Sequence, residues 1–174
     1  MEIIFVLSSI LLSFAISLGV GSSTIAIVNF FTAIADGTIE PTERRMMGVT
    51  YIILRVAMVA IALMLITQYM LGYVGVATPY FGTTHAVAMG IVTAVLYLNA
   101  VLMTYRIMPS TFGPAIQASS WYTLGTLAAL IPVGVIAFPL SIFILAYTTA
   151  IILFISLING VMGWLRHRDL ETQK

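Results

Sequence analysis

Apolar residues fall into five long stretches separated by short polar breaks: 3–35, 46–71, 85–105, 114–136 and 139–165. A helix needs about 20 residues to cross the hydrocarbon core of a bilayer, and every stretch meets that length. The breaks carry helix-ending chemistry. Asp36-Gly37 is a turn signal, and Pro41 with Glu43 suits the first turn of a following helix. "YVGVATPYFGTT" (73–84) and "RIMPSTFGP" (106–114) are Gly/Pro loops, the second with Pro114 placed to open helix four. Pro132, Gly134 and Pro139 mark a tight link between helices four and five, because an unbroken run through them would be too long to cross once. The pattern predicts an all-α, polytopic integral membrane bundle of five transmembrane helices, with residues 1–174 forming one transmembrane domain.

Composition turns that pattern into a statement about solvent. Hydrophobic residues make up 61% of the chain and charged residues 7%, whereas a soluble domain carries about 25% charged residues. So few charges could not cover a water-facing surface, so a multi-pass protein of the cell membrane is expected. The opening "MEIIFVLSS" lacks a basic leader region, and is read as a retained first helix. The chain contains no cysteine, which removes disulfide and thiol chemistry.

The placement of the few charges gives an orientation. Arg44 and Arg45 follow helix one, Arg106 follows helix three, and Arg166, Arg168 and Lys174 follow helix five. The opposite loops contain no Lys or Arg, so the positive-inside rule puts the N-terminus outside and the C-terminus in the cytoplasm. Tyr69, Tyr73, Tyr80 and Phe81 would then form an outer aromatic belt, and Tyr105, Phe112 and Trp164 an inner one. Helices one-two and three-four are both hairpins with an Asn before the turn, Asn29 and Asn99, which suggests a weak parallel repeat. Two ordinary hairpins account for the same pattern.

Within this apolar background, "SLGVGSST" (17–24) stands out. Ser9, Ser13, Ser17 and Gly21 recur every four residues, forming one stripe on helix one. Small residues let membrane helices approach closely, so the first expectation is a close-packed crossing. The alternative is a helix break at Gly19–Gly21, with a half-helix starting at Ser22-Ser23 and its free N–H groups facing a cavity.

Arg55 lies near the middle of helix two, where a cation costs at least about 2.5 kcal/mol on insertion scales. The six acids, Glu2, Asp36, Glu40, Glu43, Asp169 and Glu171, all lie outside the spans. Arg55 must therefore meet hydroxyls, amides, carbonyls, water, a lipid head or a bound anion. A structural arginine snorkelling toward the cytoplasmic face is one reading. A cationic post beside "GVGSST" in an anion site is the other. The candidate ligand-binding set is Arg55, Ser22, Ser23, Thr24, Asn29 and Asn99. The asparagines, with Asn159, Gln68 and Gln117, are expected to bond between helices or to line a cytoplasmic vestibule.

His85 opens helix three and reads as an interfacial residue, while His167 lies on the far tail. Two histidines of one chain therefore cannot clamp a haem, which leaves a single axial His with Met, or a haem shared between subunits, as the minor reading. "DGTIEPTE" (36–43) resembles the second half of an EF-hand loop, but Thr32 and Ile34 stand where acids are required. No metal site, catalytic residue or cofactor is expected, because no carboxylate pair, Ser–His arrangement or phosphate-cradling loop lies inside the spans. Two functions remain. One is a small-solute or ion transporter or channel subunit with a polar site at Arg55. The other is a non-catalytic membrane module binding lipid, haem or another membrane subunit. Membrane lipids, with a second copy or a membrane subunit, are the expected partners, and nucleic acid is not.

Overall fold

The computed structural model describes residues 2–35, 40–76, 82–109 and 112–172, with side chains described for 3–32, 40–76, 82–109 and 112–165. The turn at Asp36-Gly37, the belt residues Tyr80 and Phe81, and the side chains of Arg166, Arg168 and Lys174 lie outside them. The described residues form five helices: α1 (Glu2–Ala35), α2 (Pro41–Tyr73), α3 (Thr84–Thr104), α4 (Phe112–Leu130) and α5 (Leu140–Thr172). Four of them, α1, α2, α3 and α5, are long and apolar enough to cross a membrane. The fourth, α4, is the shortest at 19 residues and carries Gln117, Ser119, Ser120, Tyr122, Thr123 and Thr126.

Helix ends follow local chemistry. Pro41 opens α2, and the Glu43 carboxylate accepts from the Glu40 backbone N–H at 3.1 Å. Thr83 caps α3, its hydroxyl accepting from Ala86 N–H. Three C-termini close through the same pair of backbone bonds. At α2, Gly75 N–H donates to Gly72 O and Val76 N–H to Leu71 O. At α4, Gly134 N–H donates to Ile131 O and Val135 N–H to Leu130 O. At α3, Arg106 N–H donates to Met103 O and Ile107 N–H to Leu102 O. This closure needs a left-handed residue, usually glycine. Gly75 (φ 83°) and Gly134 (φ 79°) supply it at α2 and α4, whereas α3 uses Arg106 (φ 57°).

The bundle is apolar on the outside as well as the inside. Phe14 is 70% exposed and Leu145 is 69% exposed, and Ile52, Leu63, Leu153 and many other large apolar residues are exposed as well. Such a perimeter suits lipid and would aggregate in water. Inside, α4 is the hub: it packs against α1, α3 and α5, and its Trp121 and Leu124 are fully buried. Of the polar residues on α4, Ser119 and Ser120 are buried, Gln117, Tyr122 and Thr123 are half-buried, and Thr126 is exposed.

"SLGVGSST" is helical throughout, since α1 runs unbroken from Glu2 to Ala35, about 50 Å at 1.5 Å per residue. The glycine that matters is Gly19. A Cβ there would lie 2.0 Å from the Trp121 ring, so the indole occupies the space a side chain would take. Gly21 faces open space. The stripe Ser9, Ser13, Ser17 and Gly21 is therefore not the packing face: Ser13, Ser17 and Gly21 are exposed. The buried face contains Ser8, Leu12, Ile16, Gly19 and Ser23. Exposed hydroxyls on α1 bond one turn back, Ser13 to Ser9 O at 3.0 Å and Thr24 to Val20 O at 2.9 Å. A lipid-facing hydroxyl is satisfied that way without a partner helix.

Candidate functional site

Polar side chains converge at one level of the bundle, toward the end that carries Arg44, Arg45 and Arg106 (the basic end). The organiser is Gln117 on α4. Asn99, buried on α3, donates from Nδ2 to the Gln117 Oε1 at 3.0 Å and to the Gly113 carbonyl at 2.9 Å. Gln117 Nε2 in turn contacts Met58 Sδ on α2 at 3.8 Å. These bonds tie α2, α3 and α4 together one to two turns inside the α3–α4 turn.

Two cavities flank Gln117. The smaller, about 40 Å³, lies among α1, α2, α4 and α5, with Ser23, Leu54, Gln117 and Ile158 in its wall. The larger, about 220 Å³, is a lateral groove between α2, α3 and α4. Arg55 and Tyr51 line it from α2, Thr104 from the last turn of α3, and Gln117 from α4. Tyr51 lies one turn nearer the basic end than Arg55, so the groove runs from mid-α2 to the end of α3. Arg55 is exposed on the flank of the bundle. Glu40 and Glu43, the acids with described side chains, sit at the start of α2, roughly 18 Å or more along the helix from Arg55. Arg55 thus shares its groove with the Tyr51 and Thr104 hydroxyls, the Gln117 amide and an apolar wall that includes Leu54, Met58 and Met103.

Three of the six sequence-derived candidates meet here. Arg55 and Ser23 line the two cavities beside Gln117, and Asn99 bonds to it. Ser22 is buried in the α1 interface. Thr24 points elsewhere, sharing a 2.7 Å hydrogen bond with Tyr122 OH, whose ring packs on Phe154 of α5. Asn29 is half-buried, and its Nδ2 has no hydrogen-bond partner among the described residues. Gln117 itself was visible in the sequence only as one more amide near a helix end. What marks it as the centre is its pairing with Asn99 across an antiparallel hairpin.

His85 is the second residue of α3, at the helix start as expected, and it is buried within the bundle, being 0% exposed. The α4–α5 connection folds over it: His85 N–H donates to Ile136 O at 3.4 Å, and its ring lies edge-on to Phe138 at 6.2 Å. Phe138 continues into Phe143 and Tyr147, and Tyr147 OH bonds Ser120 Oγ at 2.7 Å. This aromatic column closes the end of the bundle opposite the basic one. Among the described residues, no three His, Asp or Glu side chains converge as a metal site would require. Comparison with known protein families, curated proteins and solved structures finds no match to this chain.

Proposed function

We propose that this chain is a five-span protein of the cell membrane, N-terminus outside and C-terminus cytoplasmic, that acts as a non-catalytic binding module. Its Arg55 groove holds the phosphate of an anionic phospholipid from the cytoplasmic leaflet. The single observation that carries this reading is the exposed Arg55 in a lateral groove, facing lipid, with no ion pair among the described residues. An arginine within a span, with no carboxylate beside it among the described residues, favours an anionic partner from outside the chain, and Arg–phosphate pairs are strong and bidentate. Gln117 and Thr104 supply further polar contacts in the same groove.

Arg106 supports the same side as an anion-facing one. It occupies a left-handed position that costs a non-glycine residue about 1–2 kcal/mol, at the turn where the other two equivalent closures use glycine. Retaining a cation there at that cost fits a surface that meets anionic headgroups. The α4 helix is taken as the fifth span because it packs against α1, α3 and α5.

A transport reading has its own support. Thr93, Ser119 and Trp121 each carry a buried polar atom with no hydrogen-bond partner among the described residues. Against it stand the unbroken α1 and the indole wedged at Gly19. Native mass spectrometry of the purified protein decides between the two. Retention of anionic over zwitterionic phospholipid, lost in Arg55→Gln, is the expected result. Equal retention of both lipid classes, or solute flux through wild-type liposomes abolished by Arg55→Gln, would overturn the binding reading.

A further inference from the structure

A second groove, larger than the first, opens near the opposite end of the bundle. It measures about 480 Å³ and lies between the last turns of α2 and the first turns of α3. The gap exists because α1 packs along α2 and α4 packs along α3, while α2 and α3 touch little. Small residues at and just before the start of α3 keep it open: Gly82, Ala86 and Gly90 all line it, and a Cβ at Gly90 would meet nothing within 4 Å. Its polarity is graded. The deeper wall is Leu65, Ile66, Met89 and Gly90, whereas Gln68, Tyr69 and Thr83 stand toward the helix ends.

Gln68 is the second, independent observation. It is only 4% exposed, and its Oε1 has no hydrogen-bond partner among the described residues. The amide orientation follows from its neighbour. Ser9 directs its hydroxyl proton to Phe5 O at 2.9 Å, so toward Gln68 the Ser9 oxygen can only accept. Gln68 therefore presents Nε2–H to it, at 3.2 Å, and leaves the carbonyl oxygen over. A buried amide oxygen left unpaired costs about 1–3 kcal/mol, so a ligand with a donor in this position is favoured.

We propose that the α2–α3 groove is a binding site for a single-chain neutral membrane amphiphile whose head donates a hydrogen bond, such as a monoacylglycerol or a fatty alcohol. The chain lies against Leu65, Ile66, Met89 and Gly90, and the head hydroxyl donates to Gln68 Oε1. This site is distinct from the Arg55 groove in both position and chemistry: it offers an acceptor and no charge. A second protein helix fits it less well, since an amphiphile matches the gradient from apolar floor to polar mouth.

The test uses the full-length protein purified from membranes and two probes that share one chain, monooleoylglycerol and methyl oleate. Only the first has a donor. Native mass spectrometry should show wild-type protein binding monooleoylglycerol at least tenfold more tightly than methyl oleate. Gly90→Leu, which fills the groove without introducing a polar group, should abolish binding of both. Gln68→Leu should bind the two equally. Arg55→Gln should bind as wild type does, which separates this site from the anionic-lipid reading. Equal wild-type binding of the two probes, or unchanged binding by Gly90→Leu, would overturn the proposal. So would efficient cross-linking of Gly90→Cys to a second copy in bilayers, because the groove would then be a protein interface.

Discussion

Gly19 and Gly21 lie two residues apart in one helix, and the structure assigns them opposite roles. A methyl group at Gly19 would sit 2.0, 2.2 and 2.4 Å from three atoms of the Trp121 ring. Carbon atoms rest about 3.5–4.0 Å apart, so the indole or the helix axis must move by about 1.5 Å. Trp121 is fully buried at the hub of the bundle, which leaves it little room. Overpacking of this kind costs about 1–3 kcal/mol, and the three short contacts place Gly19→Ala near the upper value. Replacing a helical glycine returns about 1 kcal/mol. The net expectation is a loss of about 2 kcal/mol for Gly19→Ala. Gly21→Ala meets nothing within 4 Å and should gain up to about 1 kcal/mol through helix propensity. Reversible unfolding in mixed micelles, followed for both variants, reads a difference of about 3 kcal/mol, roughly a hundredfold in the equilibrium constant. Trp121→Leu should relieve part of the Gly19→Ala penalty in a double-mutant cycle. Equal stability of the two glycine variants would refute the wedge, and with it the claim that α1 is close-packed on α4.

Other expectations follow from the same geometry. Asn99→Leu removes two hydrogen bonds to α4 and should destabilise the protein by about 1 kcal/mol, given that interhelical bonds in membrane proteins average about 0.6; the same unfolding assay reads it. Arg106→Gly should raise stability by about 1 kcal/mol by relieving the left-handed backbone, while reducing the preference for anionic lipid. Since the native chain has no cysteine, Ser23→Cys gives a single thiol beside Gln117. It should resist a membrane-impermeant maleimide added from either side, and rapid labelling would indicate an aqueous path through the bundle.

Where Pro, Gly or a capping residue acts locally the sequence points to a helix end, but the apolar run alone does not: helix four, expected to reach 136, ends at Leu130, and helix two begins at Pro41 rather than 46. Pro41, Glu43, Thr83, Gly75 and Gly134 each shape an end with chemistry that needs no tertiary partner. Facing was not readable. Lipid and protein interior are equally apolar, so the contrast that marks the buried side of a soluble helix is missing. On α1 the exposed stripe through Ser13, Ser17 and Gly21 and the buried one through Leu12, Ile16 and Gly19 differ by one or two positions. Both contain small residues, and only the position of Trp121 on another helix distinguishes them. Arg55 was recognisable as an unusual cation, since its cost depends on depth alone. Its place in a lateral groove depends on how α2 diverges from α3, which no local pattern carries. Gln68 and Gln117 looked alike as amides near helix ends. Their difference, one left with an unpaired oxygen and the other bonded to Asn99, arises only on assembly.

The central claim is that Arg55 recruits a phospholipid phosphate at the side of the bundle. Electron spin resonance of bilayers containing spin-labelled lipids measures that recruitment directly, as the fraction of lipid immobilised by the protein. The account predicts a larger immobilised fraction for a spin-labelled anionic phospholipid than for a spin-labelled phosphatidylcholine, with the difference reduced in Arg55→Gln. Equal fractions for the two headgroups in wild-type protein, or a difference that Arg55→Gln leaves unchanged, would contradict it.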